Sequence, residues 1–222
     1  MSNKLVIKSL ESLAKENSLV LWDTSAISCP IFKSNFLKQI KCHKEKEREH
    51  ADFREKNNIF IHNVGEYIKS RNFFTTNFVL EEIGAGGHYG YKQMIKREGC
   101  CRNRELLRLR RAIKEERHEK GKVINAFTDN NKIILLDDEK RRVYFTASKK
   151  YQNFKTKYEL SDTDFDFLIT GLSLAATSRP VIFLSNDLKI YHARNEIVED
   201  MNLNRNDARF FIRDRIFEFR EI

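Results

Sequence analysis

Apolar and polar positions fall into blocks along the chain whose periods separate helices from strands. Residues 4–16 (KLVIKSLESLAKE) set Leu5, Ile7, Leu10 and Leu13 at helical spacing and predict a short amphipathic helix. The run LVLW at 19–22 is continuously apolar, as a strand covered on both faces should be, and the DTS after it supplies a helix-capping signature. Residues 31–57 begin apolar and turn into a mixed run of Lys, Glu and Arg, which reads as a solvated helix with i,i+4 ion pairs rather than as an RNA contact. A helix over 58–71 and a strand in NFFTT (72–76) follow. Thr75, Thr76 or Asn77 then caps a helix that carries Glu81 and Glu82.

The second half repeats the pattern. GAGGHYG (84–90) marks a loop without the spacing of a nucleotide-binding turn. Residues 102–122 predict a basic amphipathic helix, with Leu106, Leu109 and Ile113 on one face and Arg104, Arg108 and Arg111 on another. KIILL (132–136) predicts a third strand and 137–158 a further helix. Residues 160–178 predict a helix capped by Ser161, with Phe167, Leu168, Leu172 and Ala175 on its apolar side. VIFLS (181–185) predicts a fourth buried strand, and Asn186–Asp187 opens the next helix. In the tail ARFFIRDRIFEFREI (208–222), periodicity leaves edge strands and a dimer contact both open.

Strands separated by helices predict an α/β domain of three layers, with a mostly parallel central sheet of four or five strands and right-handed crossovers. At 222 residues the chain fits one domain over 1–222, with an N-terminal helix, insertions around 31–57 and 84–159, and a C-terminal extension at 196–222.

Four acids stand at the ends of apolar runs: Asp23 after LVLW, Glu82 in FVLEEI, Asp164 in LSDTDFDFLI and Asp187 after VIFLSN. In an open α/β sheet such positions gather at one edge, where ligands bind. Hard divalent cations prefer oxygen ligands, so a cluster of these carboxylates would suit Mg²⁺ or Mn²⁺. A cation there would polarise a phosphoryl oxygen and make hydroxide available at neutral pH. Only one of Glu81 and Glu82 can face such a cluster, because neighbouring helical residues point about 100° apart, and Glu82 is the choice. Asp137 and Asp138 cap a helix more simply than they join a site. No GxSxG, GxxxxGK[ST], GxGxxG or HExxH pattern competes.

The formal charge of +9 favours a polyanionic partner, since basic surfaces gain affinity by releasing counterions from phosphate backbones. Arg104, Arg108 and Arg111 are the first candidates for backbone contact, with a plain solvent face as the other reading. The cysteines at 29, 42, 100 and 101 form no CxxC pair, so reduced thiols are expected. No apolar stretch approaches the roughly 20 residues that cross a bilayer, and the N-terminus lacks a signal-like apolar region. A cytoplasmic protein with no membrane association is the expectation.

With these blocks in order, the chain resembles the PIN-domain ribonucleases, a family that includes toxin nucleases and ribosome-processing nucleases. LVLWDTSAI resembles the family's first strand and acid, and FVLEEI its second block, where the glutamate before an aliphatic residue is the usual ligand. LSDTDFDFLITGLSLA resembles the pattern that assigns the third acid to Asp164, leaving Asp162 and Asp166 as bystanders or as supports behind the ligands, and FLSNDLKI the last block, with Ser185 and Asp187. The resemblance runs from about residue 19 to about residue 195. It implies a Mg²⁺- or Mn²⁺-dependent endoribonuclease in which Asp23, Glu82, Asp164 and Asp187 bind metal, metal-activated water attacks RNA and Ser185 donates an orienting hydrogen bond. A DNA or structure-specific nuclease would keep the same acids, and a catalytically degenerate nucleic-acid-binding scaffold would bind without cutting. The resemblance leaves room for an antitoxin or other protein partner and for a homodimer. The long stretch between the second and third acidic blocks and the two terminal extensions depart from the compact family form.

Overall fold

The computed structural model describes residues 12–13, 15–27, 68–69, 72–85, 118 and 120–212. Within them, strands β1 (Leu19–Trp22), β2 (Phe73–Phe74), β3 (Val181–Ser185) and β4 (Ala208–Ile212) form one sheet in the order β2-β1-β3-β4. Every pair is parallel. Leu19 to Trp22 lie opposite Val181 to Leu184, and Val181 to Ser185 opposite Ala208 to Ile212. All residues of β1 and β3 are buried. Apolar runs without alternation are what two-sided burial requires, and helices provide the cover.

Seven helical segments accompany the sheet among the described residues: α1 (Thr24–Ile27), α2 (Asn77–Ala85), α3 (120–129), α4 (Asp138–Lys150), α5 (Asn153–Lys157), α6 (Asp162–Thr177) and α7 (Leu188–Asp200). Helix α6 is central. It is buried continuously from Phe167 to Leu174 and packs on α2, α4, α7, β3 and β4. Each large apolar side chain buried there contributes about 1.5–3 kcal/mol. Gly171 lets the helix approach the sheet, because a Cβ at this position would collide with the Phe183 ring and crowd Leu21. The Phe167 and Phe183 rings meet edge to face at 5.6 Å, and Trp22 lies 5.5 Å from Phe73.

Caps set the helix starts. Ser161 accepts from Asp164 N while the Asp164 carboxylate accepts from Ser161 N, a reciprocal box that fixes the first turn of α6. Asp137 caps α4 and Asp187 caps α7.

The predicted α/β architecture is present, with an all-parallel sheet of four strands among the described residues. Two elements differ. KIILL forms no strand: Ile133 makes a single parallel bridge to Thr75, because β2 turns into α2 two residues later and leaves no partner for a longer ladder. The helix expected over 137–158 breaks after Lys150, where Tyr151 buries its ring and donates to Asp200, and α5 restarts at Asn153. The tail's open reading resolves at Ala208–Ile212 as a parallel edge strand. Gly84 and Ala85, expected to open the loop at 84–90, instead close α2. The rest of that loop, the predicted run 31–57, most of the helices expected over 58–71 and 102–122 with Arg104, Arg108 and Arg111, all four cysteines and residues 213–222 lie outside the described residues.

Strand order carries the functional consequence. The chain runs from β1 outward to β2, then returns to β3 on the other side of β1. With right-handed crossovers, connections on the two sides of that seam leave toward opposite faces, opening a crevice at the carboxyl ends of β1 and β3. Asp23 directly follows β1, and Ser185 ends β3.

Candidate functional site

At the seam, Asp23 N donates to Leu184 O at 3.1 Å, and Asp23 O accepts from Ala26 N and Ile27 N, so one residue ends the strand and starts α1. The side chain is 1% exposed. Its two oxygens differ sharply in surroundings. Oδ2 accepts from Ser25 Oγ at 2.6 Å, Ser185 Oγ at 2.7 Å and Ser25 N at 3.2 Å. Oδ1 is buried and has no hydrogen-bond partner. Burial raises the Asp23 pKa from 3.8 to about 6, against the lowering effect of the Ser25 and Ser185 hydroxyls, and the charge of Asp164 raises it further.

The two hydroxyls are themselves fixed. Ser25 Oγ accepts from Asn186 N at 2.9 Å, and Ser185 Oγ accepts from Asp187 N at 3.0 Å, while the two oxygens lie 3.0 Å apart. Ser25, just past β1, and Ser185, the last residue of β3, each held by a backbone N–H that follows β3, lock the two strand ends into one unit. With backbone N–H groups donating to both hydroxyls, each hydroxyl proton is directed at Asp23 Oδ2.

Glu82 joins this unit through the residue next to Asp23: Thr24 Oγ1 donates to Glu82 Oε2 at 2.6 Å. Helix α2 packs on α1 and α6, which holds Glu82 on the inner side. Glu81 instead is exposed and accepts from Asn77 Nδ2 at 2.5 Å.

Asp164 and Asp187 are partly buried, and each has one oxygen in a helix cap: Asp164 Oδ2 with Ser161 N, Asp187 Oδ1 with Lys189 N at 2.7 Å. Hydrogen bonds thus tie Ser185 to the Asp23 carboxylate, the Asp187 backbone N–H to Ser185, and Glu82 to Thr24 beside Asp23, while the charge of Asp164 acts on Asp23. Among the described residues no three Asp, Glu, His or Cys side chains stand together as a metal-holding group. The donor chemistry nevertheless suits a hard divalent cation, and Asp23 Oδ1 is the one buried carboxylate oxygen without a partner among those residues.

Two features were missed from sequence. Lys189 stands in the first turn of α7, its ammonium 2.9 Å from Glu159, and its pKa is raised by the Glu159 hydrogen bond and charge, then by the charges of Asp187 and Asp164. The phrase DLKI showed a lysine two residues past the acid, but nothing in it located Glu159. Behind the site, Tyr144 donates to Asp166 at 2.8 Å, so Asp166 supports the α4–α6 contact. Burial, then Asp166, pushes the Tyr144 hydroxyl up to about 12.

Fold and site define an α/β domain whose described residues form a parallel sheet of four strands with acids and hydroxyls at its topological switch point. No family model, curated protein or solved structure matches the chain. Among the described residues, no helix is long and apolar enough to cross a membrane.

Proposed function

We propose that this protein is a Mg²⁺- or Mn²⁺-dependent endonuclease that cleaves RNA. The observation that carries the reading is the lopsided carboxylate of Asp23: three donors hold Oδ2, and Oδ1 is buried without any partner. A buried oxygen left bare is costly unless something binds it. Asp23, Glu82, Asp164 and Asp187 are the residues that would hold the cation, which when bound supplies Lewis-acid polarisation of a phosphoryl oxygen and acidification of water. Ser185 and Ser25 orient Asp23 so that Oδ1 keeps one direction. Thr24 does the same for Glu82. The net charge of +9 favours a phosphate backbone as partner. The choice of RNA rests on the resemblance of the four sequence blocks to PIN-domain ribonucleases.

One observation favours a second reading, a nucleic-acid-binding scaffold without catalysis: Asp164 and Asp187 each spend an oxygen on a helix cap. Matched RNA and DNA substrates incubated with Mn²⁺, with EDTA, and with Asp23→Asn separate the readings. The nuclease reading expects metal-dependent cleavage of RNA, products with 5′-phosphate and 3′-hydroxyl ends, and a loss of several orders of magnitude in the variant. Cleavage that persists in EDTA, or binding without cleavage across a broad panel, overturns it.

A further inference from the structure

Helix α7 begins at the acid site, capped by Asp187 and with Lys189 in its first turn. Lys189 N donates to the Asp187 carboxylate, while Lys189 Nζ reaches across to Glu159 at 2.9 Å. The same ammonium feels the charges of Asp187 and Asp164. Lys189 is thus tied by its backbone to the Asp187 carboxylate and by its side chain to Glu159, a carboxylate outside the site. Its side chain is 48% exposed and that of Glu159 80%, so an incoming anion has access to both.

Glu159 is an unusual residue for its position. It follows α5 with φ of 51°, the left-handed region that favours glycine, while Leu160 N closes back to Lys155 O. That backbone aims a glutamate at Lys189. An exposed ion pair of this kind adds little to stability, so an anion that binds more favourably displaces the glutamate at small cost. The bare, buried Oδ1 of Asp23, on which the nuclease reading rests, lies at the same end of the sheet, just past β1.

We propose that Lys189 is a phosphate-positioning residue, which takes a backbone phosphate of the nucleic-acid substrate beside Asp164 and Asp187, and that Glu159 holds its ammonium until the substrate arrives. This rests on the nuclease reading above. Lysine suits the role, because its ammonium is a compact point charge on a flexible stem that can change partners without reorienting a planar group. The contact forms on binding and persists through the reaction, so it acts on affinity more than on turnover.

The test uses the full chain in four variants. Lys189→Gln should raise KM for an oligoribonucleotide about tenfold and weaken anisotropy-detected binding of the same labelled oligomer in EDTA by a similar factor, with kcat within about twofold. Lys189→Arg should restore most of both. Glu159→Gln, which keeps the left-handed backbone but removes the competing charge, should tighten binding by about two- to threefold. Lys157→Gln, whose ion pair with Glu196 lies two turns further along α7, controls for general loss of positive charge and should shift KM less than twofold. If the wild type cleaves but Lys189→Gln behaves like Lys157→Gln, the role of Lys189 is refuted and the nuclease reading stands. If the wild type binds without cleaving and Lys189→Gln still loses affinity, the nuclease reading falls while the phosphate contact survives. A wild type that neither binds nor cuts overturns both.

Discussion

The Thr24 hydroxyl donates a 2.6 Å hydrogen bond to Glu82, across 58 residues of sequence. It is the direct tie between the turn that holds Asp23 and the helix that holds the second acid. Hydrogen bonds to a charged partner contribute about 1.5–3 kcal/mol when well placed, and this one is partly buried. Thr24→Val keeps the shape and removes the donor. Urea denaturation should show a loss of about 1–2 kcal/mol, and a variant as stable as the wild type would mean that water replaces the threonine without cost.

Asp23 gives a pH signature in the metal-free protein. Its folded pKa of about 6 lies above the ordinary 3.8, so the folded state binds the proton more tightly than the unfolded one. The resulting stability is fully present below pH 3.8 and is lost as pH rises through about 6. The gap corresponds to about 3 kcal/mol against the fold at neutral pH. Asp23→Asn removes this dependence. In EDTA at pH 7.5 the variant should be more stable than the wild type by about 1–2 kcal/mol, less than the full gap because its amide NH₂ is buried without an acceptor. Tm measured from pH 4.5 to 7.5 should show the two proteins diverging as pH rises, and parallel curves would refute the buried-anion account.

Metal should reverse that ranking. A cation that binds the folded wild type raises its Tm by mass action, about 2.7 kcal/mol of stabilisation at a hundredfold excess over Kd. Mn²⁺ titration should therefore stabilise the wild type and do so far less in Asp23→Asn or Asp164→Asn. Equal shifts in all three proteins would remove these acids from any metal site.

Gly171 tests the packing that holds the seam. A methyl group there meets the Phe183 ring and Leu21, neighbours on the two central strands. Overpacking of this kind costs about 1–3 kcal/mol. Gly171→Ala should lower the urea midpoint accordingly with an unchanged m-value, and a neutral effect would show that α6 can withdraw from the sheet.

How far the sequence alone reaches depends on where each signal is local. LVLW and VIFLS carry their own burial pattern, and Ser161 with Asp164 spells its capping box within four residues, so those elements were readable. KIILL was misread because its state depends on how long β2 is, a fact held by residues sixty positions away. The break at Tyr151 was invisible because its cause, Asp200, lies on another helix. The acids at the strand ends could be located by position. The unequal hydrogen bonding of Asp23 could not, since it needs Ser185 to arrive from the far end of the chain.

That same separation orders events in time. Asp23 and Ser185 stand 162 residues apart, and the ladder that unites them pairs the first described strand with the third. Contacts of such range form late and only when both partners exist. While the chain is being synthesised from its N-terminus, Asp23 emerges long before the strand that buries it, so every partial product short of β3 lacks the pocket. Whatever the pocket binds, it can form only once residues 181–185 have been made and paired with β1.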